Sequence, residues 1–177
     1  MTCIVALMAQ NRVYMGGDSA GVSYYDVTTR AEPKVFTKGP FLFGVAGSFR
    51  VLNLLHHKFI PPPIHTVDLY EYMVTDFVDS LRETLKGAGV AHKDDEVESM
   101  GDAVFLLGLG GRLFSIGNDY QVGIPNDGYD AIGAGESYAL GSLFSSKGSA
   151  RKRILLALEA AEKFSGAVRS PFVIERA

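Results

Sequence analysis

The order in which turn signals and periodicities alternate restricts the possible folds most. Thr2 to Leu7 and Val13 to Gly17 are short β-rich apolar runs with Asn11 between them, which predicts a hairpin. In its first strand Thr2 and Ile4 point to one face, and Cys3 and Val5 to the other. Val22 to Arg30 is rich in β-formers and stops before Pro33, and the residue before a proline is extended, so this run predicts one strand leading into Lys34. Phe41 to Ala46 is a buried-strand pattern ending at Gly47. Ser48 then caps a helix through Val51, Leu52, Leu54 and Leu55. Pro61-Pro62-Pro63 is a surface corner. Beyond it Thr66 caps a second helix, in which Val67, Tyr70, Val74, Phe77, Leu81 and Leu85 form a core-facing stripe closed by Gly87 and Gly89.

The second half repeats the order. His92 to Glu98 is a charged, mostly acidic solvated loop. Its acids are contiguous rather than spaced as ligands, which argues against a metal on His92, Asp94, Asp95 and Glu96. Ala103 to Leu109 and Arg112 to Ile116 flank Gly110-Gly111, a hairpin signal, and Tyr120 to Gly123 supplies a third short strand. Asn126-Asp127-Gly128 is a turn. Tyr129 to Ile132 runs into Gly133-Ala134-Gly135 and a helix through Tyr138, Leu140 and Leu143. Tyr138 stands where a dinucleotide turn wants its third glycine, which argues against nucleotide binding. Ser149 caps a last helix, with Ile154, Leu155, Leu158, Ala161 and Phe164 inward and Arg151, Lys152 and Arg153 on a solvated face. Pro171 to Glu175 is a closing strand. Hairpins then helices, twice over, give an α+β layered domain.

A chain of 177 residues, read as one domain over 1–177, has length for a real core. Its formal net charge of -3 argues against nucleic-acid binding through bulk charge. Cys3 is the sole cysteine, which rules out an intrachain disulfide and a cysteine-rich metal site and fits a reducing, cytoplasmic setting. No apolar run approaches the roughly 20 residues that span a bilayer, and no signal peptide is evident. Neither a cofactor nor a metal is expected.

The chemistry starts at Thr2. A methionine followed by so small a residue is normally trimmed, which would leave a hydroxyl and a free α-amine on one residue. Such an amine has an ordinary pKa of roughly 7.7–8.0 and can serve as the base for its own hydroxyl. Thr2, Asp18 in Gly-Gly-Asp-Ser, Lys34 in Lys-Val-Phe and the Gly-Val-Ala-Gly-Ser turn at Gly44 to Ser48 follow one another in order. In this the chain resembles the proteasome β-subunit family, above all its bacterial HslV-type branch, within the N-terminal-nucleophile (Ntn) hydrolases.

That resemblance implies a four-layer αββα sandwich, with two antiparallel sheets between helix layers. It implies a Thr2 nucleophile, Lys34 as a buried cation, Asp18 as its partner, Gly47 as oxyanion donor and Ser165 in the amine's surroundings. It also implies polypeptide substrates, a homo-oligomeric ring and a ring-shaped AAA+ ATPase unfoldase. Two positions depart from the family's pattern. Ala134 stands where a serine helps position the amine, and Glu162 stands for an aspartate. The amine would then be held differently, by Ser137 or Ser165, or the site would be weakened. Two other readings use the same fold: a non-catalytic ring subunit, and an Ntn amidase acting on a small molecule.

Overall fold

The structure, a computed structural model, describes residues 2–94 and 97–177. Strands β1 (Ile4–Ala9) and β2 (Arg12–Gly17) form the predicted hairpin. Gln10 and Asn11 between them have φ of 52° and 59°, the two-residue geometry that matches strand twist. Among the described residues β3 (Ala20–Ser23) pairs only with β4 (Asp26–Thr29), and β5 (Val35–Lys38) pairs with β6 (Phe41–Ala46). Helices α1 (Phe49–His57), α2 (Leu69–Tyr72) and α3 (Val78–Gly87) follow, with a π-helical turn at Met73–Phe77 joining the last two. The second half holds β7 (His92–Asp94), β8 (Val97–Ser99), β9 (Val104–Leu109), β10 (Arg112–Ile116), β11 (Val122–Gly123) and β12 (Tyr129–Ile132). It ends with α4 (Glu136–Ser145), α5 (Ala150–Phe164) and β13 (Val173–Arg176).

The strands make a four-stranded sheet, β12-β1-β2-β13, and a five-stranded sheet, β11-β10-β9-β6-β5, both antiparallel throughout. Side-chain alternation then divides the core. Ile4, Ala6, Val13 and Met15 of the first sheet pack with Val35, Leu42, Leu106 and Leu113 of the second. The opposite face of β1, with Cys3, Val5 and Leu7, packs on Ala139, Leu143, Ile154, Leu158 and Ala161 of α4 and α5. The far face of the second sheet, with Phe43, Phe105 and Leu107, packs on Leu52, Leu55, Phe77, Leu81 and Leu85. Ile4 thus faces one side, and Cys3 and Val5 the other, as β1 required. Ser48 and Ser149 cap their helices as expected, accepting from Val51 N and Lys152 N. Among the described residues no helix is long and apolar enough to cross a membrane.

Several expectations need correction. Val22 to Arg30 is a hairpin, not one strand, and turns at Tyr24-Tyr25, where Tyr24 has φ of 52°. Two strong β-formers at the turn hide the reversal from a propensity reading. In the second helix Val67, Tyr70 and Val74 are exposed, and Tyr72 and Met73 are buried instead. The π-helical turn adds a residue between Tyr72 and Phe77, so a single stripe cannot run through both halves. Asp68, not Thr66, caps α2, accepting from Tyr70 N at 2.9 Å.

In α5, Leu155 and Phe164 face out while Ala157 and Ala161 are buried. The alanines let the helix lie close, since a Cβ on Gly135 would stand 2.8 Å from that of Ala161. Arg153 leaves the expected solvated face and donates to Leu143 O at 2.6 Å, satisfying a carbonyl at the end of α4. Finally, His92 to Glu98 contains the β7–β8 pair, with Arg82 Nε donating to Glu98 at 2.7 Å. Asp95 and Glu96 lie outside the described residues, and among those described no cluster of His, Cys, Asp or Glu could hold a metal.

Candidate active site

The hairpin turn at Gln10-Asn11 fixes the site's first contact. With Ile4 opposite Gly17, Asp18 falls opposite Cys3. Asp18 N donates to Cys3 O at 3.3 Å, and Cys3 N donates to Asp18 Oδ1 at 3.0 Å. Lys34, immediately before β5 in the other sheet, donates from Nζ to the same Oδ1 at 2.8 Å. One carboxylate oxygen therefore joins the backbone next to Thr2 with an ammonium from the facing sheet. Asp18 Oδ2 accepts from Ala20 N at 2.9 Å and from Arg169 N at 3.3 Å.

The pair is dry, with side-chain exposures of 1% for Lys34 and 0% for Asp18. A buried ion pair of this kind is sustained only when its remaining hydrogen-bonding capacity is met, and the three backbone amides on Asp18 do that. Burial holds the Lys34 ammonium below the ordinary lysine value of 10.5, while the charge and hydrogen bond of Asp18 work the other way. The Phe49 ring lies 5.8 Å from Lys34 Nζ and carries the Arg30 guanidinium at 4.2 Å on its face. Cys3 lies on the helix side of β1, fully buried. Desolvation, then the Asp18 charge, push its thiol up to about 12.

Thr2 is itself buried, with 2% exposed. Its carbonyl accepts from Gly135 N at 3.3 Å, and a Cβ on Gly133, whose φ is 94°, would lie 2.4 Å from that oxygen. The Gly133-Ala134-Gly135 turn therefore presses on the first residue, which only a glycine at 133 permits. Gly47 ends β6 with φ of 89°, and a Cβ there would stand 2.2 Å from the Asp102 carbonyl. The backbone at this turn therefore packs directly against the loop before β9, which leaves no room for a side chain.

The structure joins Asp18 to Lys34 and to the amide of Cys3, the residue that follows Thr2. Ser165 lies in the loop after α5 and accepts from Ala167 N at 3.3 Å. That loop continues to Arg169 on Asp18. Glu162 accepts from Ser170 N at 2.8 Å. Ala134 and Ser137 are exposed. Met1, whose removal the chemistry requires, lies outside the described residues. Sequence reasoning missed two contributors. Ser19, 6% exposed, donates from Oγ to Pro171 O at 2.6 Å and from N to Arg169 O at 2.8 Å. The Arg169 amide is a backbone group with no signature in the residue type. Ser19 had a signal in its place next to Asp18.

The fold is that of solved proteasome β-subunit-like and HslV-type structures. Among solved structures, BPH from Thiobacillus denitrificans, solved in complex with epoxomicin, superposes with a TM-score of 0.81 at 17% identity, covering 99% of this chain and 98% of that one. Eukaryotic HslV from Trypanosoma brucei gives a TM-score of 0.69 at 19% identity over 99% and 98% of the two chains. Anbu, an ancestral β-subunit, from Yersinia bercovieri gives 0.69 at 15% over 99% and 81%. No protein-family model and no curated protein matches the sequence.

Proposed function

We propose that this chain is a threonine peptidase that cleaves peptide bonds with Thr2 as its N-terminal nucleophile once Met1 is removed. The observation that carries the reading is the shared Asp18 oxygen, which ties the Cys3 amide and the Lys34 ammonium into one buried unit beside Thr2. The Thr2 hydroxyl attacks the carbonyl carbon, and its proton passes to the Thr2 amine, directly or through a water. The buried positive charge of Lys34 favours both the neutral amine and the developing alkoxide, since a like charge lowers an amine's pKa and an opposite charge stabilises an anion. Asp18 keeps Lys34 charged and oriented. The Gly47 amide meets the oxyanion, a contribution worth about 10²–10³ in rate at comparable sites. The amine returns the proton to the leaving nitrogen as the C–N bond breaks, and water then releases the acyl group from Thr2. Ser165 orders the loop that flanks the amine.

The three apolar clusters support a four-layer sandwich, helices outside and sheets within. The likeness to HslV and to an ancestral β-subunit supports a cytoplasmic homo-oligomeric ring fed with polypeptide by an AAA+ ATPase. Ala134 favours a second reading, a ring subunit kept for assembly alone, because the departing side chain sits in the turn that presses on Thr2.

Intact mass after treatment with epoxomicin separates the two. The expected result is loss of Met1 together with a covalent adduct, absent in Thr2→Ala. A mature chain that retains Met1, or hydrolysis undiminished in Thr2→Ala, overturns the peptidase reading.

A further inference from the structure

The segment after α5 runs from Ser165 to Phe172 without regular structure, yet it supplies a donor to the buried carboxylate from 151 residues away. Its backbone is gripped from two sides. On the inner side the Arg169 amide reaches Asp18 Oδ2, the Arg169 carbonyl accepts from Ser19 N at 2.8 Å, and the Pro171 carbonyl accepts from Ser19 Oγ at 2.6 Å. On the outer side the Ser170 amide, between those two residues, donates to Glu162 Oε1 of α5 at 2.8 Å. Successive peptide groups thus alternate between the Asp18-Ser19 corner and the last turn of a helix. Glu162 accepts as a carboxylate, the stronger kind of hydrogen bond. None of these contacts touches Thr2's reacting atoms, so any effect on chemistry passes through Asp18.

We propose that Ser19 and Glu162 are positioning residues that clamp the Arg169 amide onto Asp18, so that the loop after α5 sets the environment of the Lys34 ammonium. The proposal deepens the peptidase reading and takes its catalytic consequence from it, but its physical core is independent of hydrolysis. The charged and titratable groups facing Lys34 are Asp18 just after β2, Cys3 just before β1 and Arg30 from the segment before β5. The Thr2 amine joins them once Met1 is gone. Releasing either side of the clamp withdraws one N–H from Asp18 and lets water approach the pair. A carboxylate with fewer donors holds the lysine proton more strongly, and a wetter ammonium is less penalised. Both effects act in the same direction, and Lys34 titrates at higher pH.

The test is an NMR titration of the Lys34 Nζ resonance in full-length, ¹⁵N-lysine-labelled protein, assigned through Lys34→Met, in wild type, Ser19→Ala, Glu162→Ala and Glu162→Gln. Peptide hydrolysis is measured alongside. The expected result is a raised Lys34 midpoint in both alanine variants, with kcat lowered about ten- to a hundredfold at unchanged KM, as small misplacements at catalytic groups do. Glu162→Gln, whose amide oxygen still accepts from Ser170 N, restores the wild-type midpoint. Glu162 lies on the outer side of the clamp, so its variants decide the matter even if Ser19→Ala fails to fold. A Lys34 midpoint that stays or falls in the alanine variants, or a glutamine variant displaced as far as the alanine one, overturns the proposal. If wild type itself hydrolyses nothing, the peptidase reading falls while the titration still decides whether the clamp exists.

Discussion

Removing either member of the Asp18–Lys34 pair should cost the fold very different amounts. Breaking a buried pair costs about 3–5 kcal/mol because the survivor keeps a charge without its counterion. Here the survivors differ. After Lys34→Met the Asp18 carboxylate still accepts from the amides of Cys3, Ala20 and Arg169, so the loss should lie below that range, about 2 kcal/mol. After Asp18→Ala the ammonium loses its carboxylate in a site where it is 1% exposed, and three amides lose their acceptor as well. The cost should then reach the top of the range, about 5 kcal/mol. At about 3 °C per kcal/mol for a chain of this size, the drops in Tm are about 6 °C and about 15 °C. The chain has no tryptophan, so far-UV circular dichroism is the suitable probe, in thermal and urea unfolding. Protein concentration must be held fixed, since any self-association would add stability by mass action. Equal losses, or a larger one for Lys34→Met, would refute the argument that backbone amides rather than the lysine hold Asp18 in place.

Gly133→Ala should abolish epoxomicin labelling and cost about 1–3 kcal/mol, because its Cβ would meet the Thr2 carbonyl at 2.4 Å from a backbone with φ of 94°. Unchanged labelling would show that the turn does not seat Thr2. The Cys3 thiol titrates near 9.0 unfolded and at about 12 folded, so between those values the unfolded chain binds fewer protons and stability falls as pH rises. Three units at about 1.36 kcal/mol each make that contribution about 4 kcal/mol, so the margin of wild type over Cys3→Ala should shrink by about that much from pH 9 to 12. Urea titrations of both proteins across the window check it. Leu81→Ala, deep in the aromatic cluster, should cost about 2–5 kcal/mol, whereas Val67→Ala should change stability by less than about 0.5 kcal/mol despite the shared apolar pattern. A comparable loss in both would restore the single-stripe reading of that helix.

The first hairpin was legible in the sequence, whereas Asp18 was picked out there only by resemblance to the proteasome β-subunit family; the register then shows where it falls. A turn at Gln10-Asn11 pairs residue 4 with 17, so it carries residue 3 to 18 and sets the carboxylate beside Thr2. The Lys34 partner was legible only through resemblance, since no local rule joins residue 34 of one sheet to residue 18 of another. The helices were found by their stripes and, for α1 and α5, by their capping serines, but two of the stripes included exposed residues: Val67, Tyr70 and Val74 in one, Leu155 and Phe164 in the other. In α5 the inward face combines Ile154 and Leu158 with Ala157 and Ala161, alanines that a hydrophobicity pattern underweights beside Leu155 and Phe164. The contacts of the loop after α5 are mostly backbone groups, which carry no letter in the sequence. The Tyr24-Tyr25 reversal runs against local preference and had no signal at all.

The π-helical turn at Met73–Phe77 also has a consequence for engineering. It works as a phase shifter between two regular amphipathic halves, each correct in itself and about one residue, roughly 100°, out of step with the other. Deleting a residue there would permit an uninterrupted helix, yet it would swing Tyr72 and Met73, or else Leu81 and Leu85, into solvent. Idealising this stretch is therefore the change most certain to ruin it, and repacking around the irregularity is the safer course.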